Sequence, residues 1–377
     1  MERENQLFQI KKYMLLFLGP LLLFVGGGKV LAEGVNFSIV PQFPDTQTDK
    51  SLGYFDLLMK PGETQDLIIK LSNTTDKEVT VNTTFSNATT ADSGLAVYIP
   101  TETKDDASLK YNISDYVQFD KQVKVPAKSN VDVKAKVKMP EEAFQGVMAG
   151  GFTFKQETSE TDKEDTSKDT SVSVKNEYRY VVALVMRQSE KEVDPSLKLN
   201  KIEAGQVNNR NVIKANLENS EMSYLNHLNI SSKITSQTDQ SVSYSYDNTN
   251  MQMAPNSNFD LSIPVSKQGD LSNETSKPLA PGKYHAYIEA YGEKTEDGKY
   301  IKEVEGKKVH YKYKWILEKD FEVTDSEAKK LNKSDPTVEK KNSLNWLMII
   351  GLAIVALLLV IIFLLLKRKK EDKGQEE

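Results

Sequence analysis

The sequence predicts an all-β protein: two tandem Ig-like β-sandwiches followed by a stalk and a single C-terminal transmembrane helix. Three observations carry this reading. Apolar and polar residues alternate at period two through most of residues 33–324, the mark of strands with one face on a core and one in water. Asn, Asp, Gly and Pro cut that alternation into short segments with hardly a helical stretch between them, as in a sandwich. Near the end, twenty-one residues from Trp346 to Leu366 carry no charge and stand directly before Lys367, Arg368, Lys369 and Lys370.

The chain opens on a secretory signal, residues 1–32. Lys11 and Lys12 form a basic region, an apolar stretch runs from Met14 to Val25, and "VLA" places small or branched residues before a cut after Ala32. The mature protein then begins outside the cell at Glu33.

The first sandwich is expected over residues 33–189. "NFSIVPQFPDTQ" sets prolines around Phe37 and Phe43 and reads as extended, covering a sheet edge or pairing with a partner strand. "YFDLLMKPGETQDLIIKLSN" reads as a strand, a turn at Pro61 and Gly62, and a second strand, and "EVTVNTTFSN", "GLAVYIP" and "YVQFDKQVKVPAK" continue the series. In "NVDVKAKVKMP", Val131, Val133, Ala135, Val137 and Met139 share one face, against Asn130, Asp132, Lys134, Lys136 and Lys138. In "QGVMAGGFTFKQE", Gly146, Gly150 and Gly151 let a neighbouring group come close. Residues 157–171 hold no apolar side chain and form either a hairpin loop or an interdomain linker. The hairpin is preferred, because "YRYVVALVMRQ" is apolar on both faces like a central strand and can pair with "GVMAGGFTF". That places the domain boundary near Glu190 to Pro195; a linker would move it to 158–171.

The second sandwich is expected over residues 190–324. Strands fall at 196–203, 211–218 and 225–235, then at "VSYSYDN", "FDLSIPVSK", "GKYHAYIEAYGE" and "YKYKWILEKDFEV". Residues 325–345 are charged and read as a flexible stalk. Residues 346–366, at about 1.5 Å of rise each, cover about 30 Å, the thickness of a bilayer core. The basic run after them puts the tail, residues 367–377, in the cytoplasm.

Composition narrows the function classes. The chain has 377 residues and no cysteine, whereas extracellular domains of this size in eukaryotes usually carry disulfides. That points to a bacterium with a single membrane, and to Asn73, Asn82, Asn87, Asn112 and Asn229 as polar strand and turn residues rather than glycan acceptors. The net charge of −5, with the signs interspersed, suggests no nucleic-acid surface. The three histidines, His227, His285 and His310, form no paired-ligand motif. There is no Gly-x-Ser-x-Gly elbow and no phosphate loop, so no catalytic, metal or cofactor-binding residue is assigned and no cofactor is expected.

Binding is the better expectation for such an ectodomain. In "YHAYIEAY", His285, Tyr287, Glu289 and Tyr291 fall on one face; in "VHYKYKWIL", Val309, Tyr311, Tyr313, Trp315 and Leu317 share another. Exposed aromatic rows stack on sugars or grip partners, while the alternative is that one row of each strand is core. The candidate binding residues are therefore Phe37, Phe43, Tyr287, Tyr291, Tyr311, Tyr313 and Trp315.

Segments at the opening of each domain carry a resemblance. "NFSIVPQFPDTQ", with "GYFDLLMKPGETQDLIIKLSN" and "EVTVNTTFSNATT", resembles the first domain of the WxL-interacting proteins of Gram-positive bacteria. "IEAGQVNNRNVIKANLEN", followed by "LNISSKI", resembles the opening of their second. The resemblance covers nearly the whole chain, including the C-terminal span with its basic stop. It implies a peptidoglycan-binding module, a module that binds host extracellular-matrix protein, and WxL-domain surface proteins as partners. It assigns no individual binding residue. No LPxTG sorting signal precedes the span, so the helix itself is expected to hold the protein at the membrane.

Overall fold

The computed structural model describes residues 36–102, 104–157, 178–268, 275–339 and 344–373. The expected signal, residues 1–32, and all but the first residue of the polar stretch 157–171 lie outside the described residues.

The first sandwich faces a four-stranded sheet with a five-stranded one. The former runs Phe37–Gln42, Thr64–Asn73, Asn130–Lys138, Val117–Phe119 in spatial order, antiparallel throughout. The latter runs Phe55–Leu58, Arg179–Arg187, Met148–Gln156, Val79–Asn87, Gln122–Val125, with the Phe55–Leu58 pairing parallel. Alternation becomes burial as expected: Val133, Ala135, Val137 and Met139 enter the core, and Lys134, Lys136 and Lys138 face water. The strand Arg179–Arg187 lies antiparallel to Met148–Gln156, with Met148 opposite Met186 and Lys155 opposite Arg179. This is the pairing of the hairpin reading. Gly150 serves close approach, since a Cβ there would come within 2.8 Å of both Ile113 and Phe85.

The second sandwich pairs a three-stranded sheet, Lys198–Val207, Arg210–Asn219, Ser257–Pro264, with a five-stranded one. The latter runs Ser243–Met253, Leu225–Ser236, Gly282–Lys294, Lys307–Val323, Tyr300–Val304. Ile213, Ala215, Leu217, Ile230, Ile234, Phe259, Leu261, Ile263, Tyr284 and Ile288 meet between the sheets. The first core ends at Met186 and the second begins at Leu197.

The strand Tyr300–Val304 is one that alternation alone does not announce. It forms a hairpin with Lys307–Val323 through Glu305 and Gly306, both in the left-handed region (φ 51° and 75°). Two consecutive left-handed residues make the type I′ turn that matches strand twist.

The expected flexible stalk is corrected over most of its length. Asp325–Ser334 is an α-helix opened by a full capping box between Thr324 and Glu327. Ala328 and Leu331 of this helix pack on the second core. Beyond it Asp335 is fully buried, and Val338 bridges to Ser276. Sequence composition registers the charges of this segment but not the apolar stripe beneath them.

A last helix runs Leu344–Lys373. Among the described residues no helix is long and apolar enough to cross a membrane.

Candidate functional site

The aromatic candidates scatter. Phe37 is a core residue, its ring 5.1 Å from that of Tyr180 in an edge-on contact. Phe43 is half-buried against Phe55 at 5.8 Å. Trp315 is half-buried on the second core, with Tyr313 beside it at 5.6 Å. Tyr287, 38% exposed, is the only one of the seven classed as exposed.

Tyr291 and Tyr311 are buried, and not by the main core. The alternation places Tyr311 with Tyr313 and Trp315, but its ring lies 5.4 Å from that of Tyr291. Asn229, which pairs across strands with Tyr291, donates to the Tyr311 hydroxyl at 3.3 Å. Glu293, with φ of 56° in mid-strand, breaks the regular two-residue alternation here. Lys302, from the edge strand, donates to Ser231 Oγ at 2.7 Å, although two strands separate theirs in the sheet. The hairpin therefore folds over the outer face of the sheet and covers Tyr291. Lys302 and Lys314 sit over the Tyr291 ring at 5.3 and 5.1 Å. Burial works to raise the Glu289 carboxyl, but hydrogen bonds from Lys314 and Tyr291 outweigh it and hold the group below its ordinary value. Lys302 is pushed below the ordinary lysine value by burial. This cluster is a self-satisfied closure, not an open aromatic platform.

The open sites lie where the sandwiches meet. Ala88, Ala149 and Val185 of the first pack with Ala254 of the second, flanked by Tyr98 and Tyr224. The two tyrosine hydroxyls stand 3.1 Å apart, and burial pushes both above the ordinary phenol value. Backbone bonds cross as well: Val147 N–H donates to Met222 O at 2.7 Å, and Gln252 N–H to Gly94 O at 2.8 Å. Gly146, at φ 90°, is pressed against Met222, so a side chain there would strain the join.

Two clefts flank this join. One, of about 650 Å³, lies between the segment 189–195 and the turn 293–299, with Lys312 and Tyr313 in its wall. Lys312 pairs with Glu192 and Asp194, each at 3.5 Å, and the Tyr313 hydroxyl donates to Asp194. Glu293, also in this wall, has its carboxyl raised by burial despite two hydrogen bonds from Asn226. The other, of about 550 Å³, is lined by threonines and Asp92, Val97 and Ile99 of the first sandwich and by Asn216, Asn258 and Asp260 of the second. None of the sequence candidates except Tyr313 lines either cleft. Aromatic rows drew the sequence reading, whereas these walls are built of Asn, Asp, Thr and Lys brought together only by the join.

Known sequence families match both halves. "WxL Interacting Protein, peptidoglycan binding domain" matches residues 37–156, and "WxL Interacting Protein, host binding domain" matches residues 169–333. The chain belongs to the WxL-interacting protein family. The second match ends within the helix Asp325–Ser334, so that helix is part of the WxL-interacting protein's family region. It begins before Arg179–Arg187, a strand that completes the first sandwich. No curated protein matches the sequence. Among solved structures, the class 5 fimbriae chaperone CfaA is 12% identical, covering 75% of this WxL-interacting protein and 99% of its own chain, with a TM-score of 0.28. The PapD-like domain 7 of human CEP192 is 12% identical, with 42% and 87% covered and a TM-score of 0.26. The E. coli chaperone DraB is 13% identical, with 72% and 96% covered and a TM-score of 0.23.

Proposed function

We propose that this protein is a membrane-anchored surface adaptor that associates with peptidoglycan and with WxL proteins and acts by binding, not catalysis. The observation that carries this is the placement of the two family matches on two sandwiches joined side by side. Both matched families are binding domains, one for peptidoglycan and one for host components, and the second extends the reading to host extracellular-matrix protein.

The anchor belongs to the same proposal. The charge-free run from Trp346 to Leu366 and the basic residues 367–370 support a single span, with residues 33–345 outside and the tail inside. The secretory signal at residues 1–32 supports the same topology.

The test is co-sedimentation of the chain, truncated after Glu339 to keep the C-terminal helix of the second sandwich, with purified sacculi. It is run with and without a WxL domain from the same organism. Pelleting without the partner supports direct wall binding. Pelleting only with it makes the protein a receptor for that partner, and no pelleting in either case sinks the proposal. Binding to immobilised matrix protein alone would leave an adhesin.

A further inference from the structure

We propose that the groove of about 550 Å³ between the sandwiches is a binding site for a neutral oligomer of N-acetylated amino sugars. The inference rests on the wall-binding reading above and assigns the glycan strand, not the peptide part of the wall, to this groove.

One wall is a fixed ladder of carboxamides and carboxylates on the outer face of the three-stranded sheet. Asn200 Nδ2 donates to Asn216 Oδ1 at 3.3 Å. Asn216 Nδ2 donates in turn to Asn258 Oδ1 at 3.0 Å and Asp260 Oδ1 at 2.9 Å. Asn258 Nδ2 then reaches Asp106 Oδ2 of the first sandwich at 2.5 Å, and the Asp260 backbone N–H reaches Asp92 Oδ1 at 3.0 Å. Every amide plane is thereby held before any ligand arrives, which lowers the ordering cost of binding.

The ladder keeps capacity in reserve. Asp92 Oδ2 and the Thr89 hydroxyl have no hydrogen-bond partner among the described residues. Asp260 Oδ2 has only Lys214 at 3.5 Å. Carboxylate oxygens accept from sugar hydroxyls and from an acetamido N–H, and charge-assisted bonds of this kind are the stronger ones.

The opposite wall supplies apolar surface. Val97 and Ile99 are half-buried in the groove, and Leu95, which continues the same alternation, is 51% exposed. A pyranose presents a C–H face and a polar rim, so an aliphatic strip opposite an Asn/Asp ladder matches both. The first cleft lacks this division, because ion pairs of Lys312 with Glu192 and Asp194 occupy its wall. The described residues lining the groove include two carboxylates, Asp92 and Asp260, and no lysine or arginine, so a uronate-bearing glycan meets repulsion where a neutral one does not.

The test uses the full chain in mild detergent and isothermal titration with a β-1,4-linked N-acetylglucosamine hexamer and a hyaluronan oligomer of equal length. The hexamer is expected to bind, the anionic oligomer at least tenfold more weakly. Asp92→Ala and Asn216→Ala should each weaken the hexamer at least tenfold, with Thr89→Val as a second variant that keeps side-chain shape. Thermal melts check that each variant stays folded. A hexamer that fails to bind the unaltered chain, binds all three variants equally, or binds no better than hyaluronan overturns the proposal. If the unaltered chain pellets with sacculi yet ignores the hexamer, peptidoglycan binding stands and the glycan groove falls. If it does neither, both fall.

Discussion

The Thr90 and Ser257 hydroxyl oxygens lie 2.6 Å apart, buried at the join of the two sandwiches. Ser257 Oγ donates to Ala254 O at 2.8 Å, so Thr90 must be the donor to Ser257, and Thr90 Oγ accepts from Ala254 N–H at 3.0 Å. This closed loop satisfies each buried polar atom in it. Asn256 Nδ2 adds bonds to Ser108 O at 3.0 Å and Ser220 O at 2.8 Å, one from each sandwich. The orientation of the two sandwiches is therefore fixed by bonds from both of them, and both clefts inherit it.

Thr90→Val keeps the shape but leaves the Ala254 N–H buried without an acceptor. A lost buried partner costs about 1–3 kcal/mol. Urea unfolding should show that loss, with the transitions of the two sandwiches separating. An unchanged midpoint with one transition would mean that the apolar contacts around Ala254 hold the join alone.

Phe37→Ala and Tyr287→Ala separate core from surface among the aromatic candidates. Phe37 lies in the first core against Tyr180, so its truncation should cost about 3–5 kcal/mol. Tyr287 is exposed, and its truncation should stay within about 0.5 kcal/mol. Only the second variant can report on ligand binding, since the first loses binding by losing the fold. Equal destabilisation by denaturant titration would contradict the burial assigned to both.

Thr324→Ala tests whether residues past 324 belong to the second sandwich. The Thr324 and Glu327 capping box opens the helix whose Ala328 and Leu331 reach the core. Losing the cap should cost about 1 kcal/mol. A free stalk would register no change in the melting of the sandwich.

Much of the fold is legible in sequence for a simple reason. Period-two alternation, as in Asn130–Lys138, is the direct imprint of one wet and one dry face, and the apolar run of Arg179–Arg187 marks a central strand whose outer face is covered at Val185 and open at Val181. The helix after Thr324 escaped because its buried stripe is only Ala328 and Leu331 among charged residues. Its signal was present in the Thr-x-x-Glu spacing. Tyr291 misled because a hairpin from beyond the strand covers its face, and Tyr311 because alternation assumes undistorted strands, an assumption that Glu293 at φ 56° breaks. The groove is the least legible feature. Asn216 and Asp92 are unremarkable surface residues until two distant segments, joined through Thr90 and Ser257, set them in one wall.

Asp335 gives a prediction in pH. It is fully buried, and its carboxylate accepts from Asn211 N–H at 2.9 Å, Thr337 N–H at 2.9 Å and the Thr337 hydroxyl at 2.6 Å. Burial alone would push its carboxyl up. The Thr337 hydroxyl and the backbone N–H groups of Asn211 and Thr337 outweigh that and hold it below the ordinary value. A folded value below the unfolded one means that the stabilisation is complete above the unfolded carboxylate value of about 3.9 and is lost as pH falls through the folded one. Stability should thus decline from about pH 5 downward. Asp335→Asn should flatten that part of the decline. At neutral pH it should also cost about 1–3 kcal/mol, because each amide N–H it introduces faces a donor where the carboxylate accepted. Paired thermal melts from pH 7 to pH 3 read both effects. If the variant and the parent decline in parallel, Asp335 is not the acid-sensitive tie between the C-terminal helix and the second sandwich.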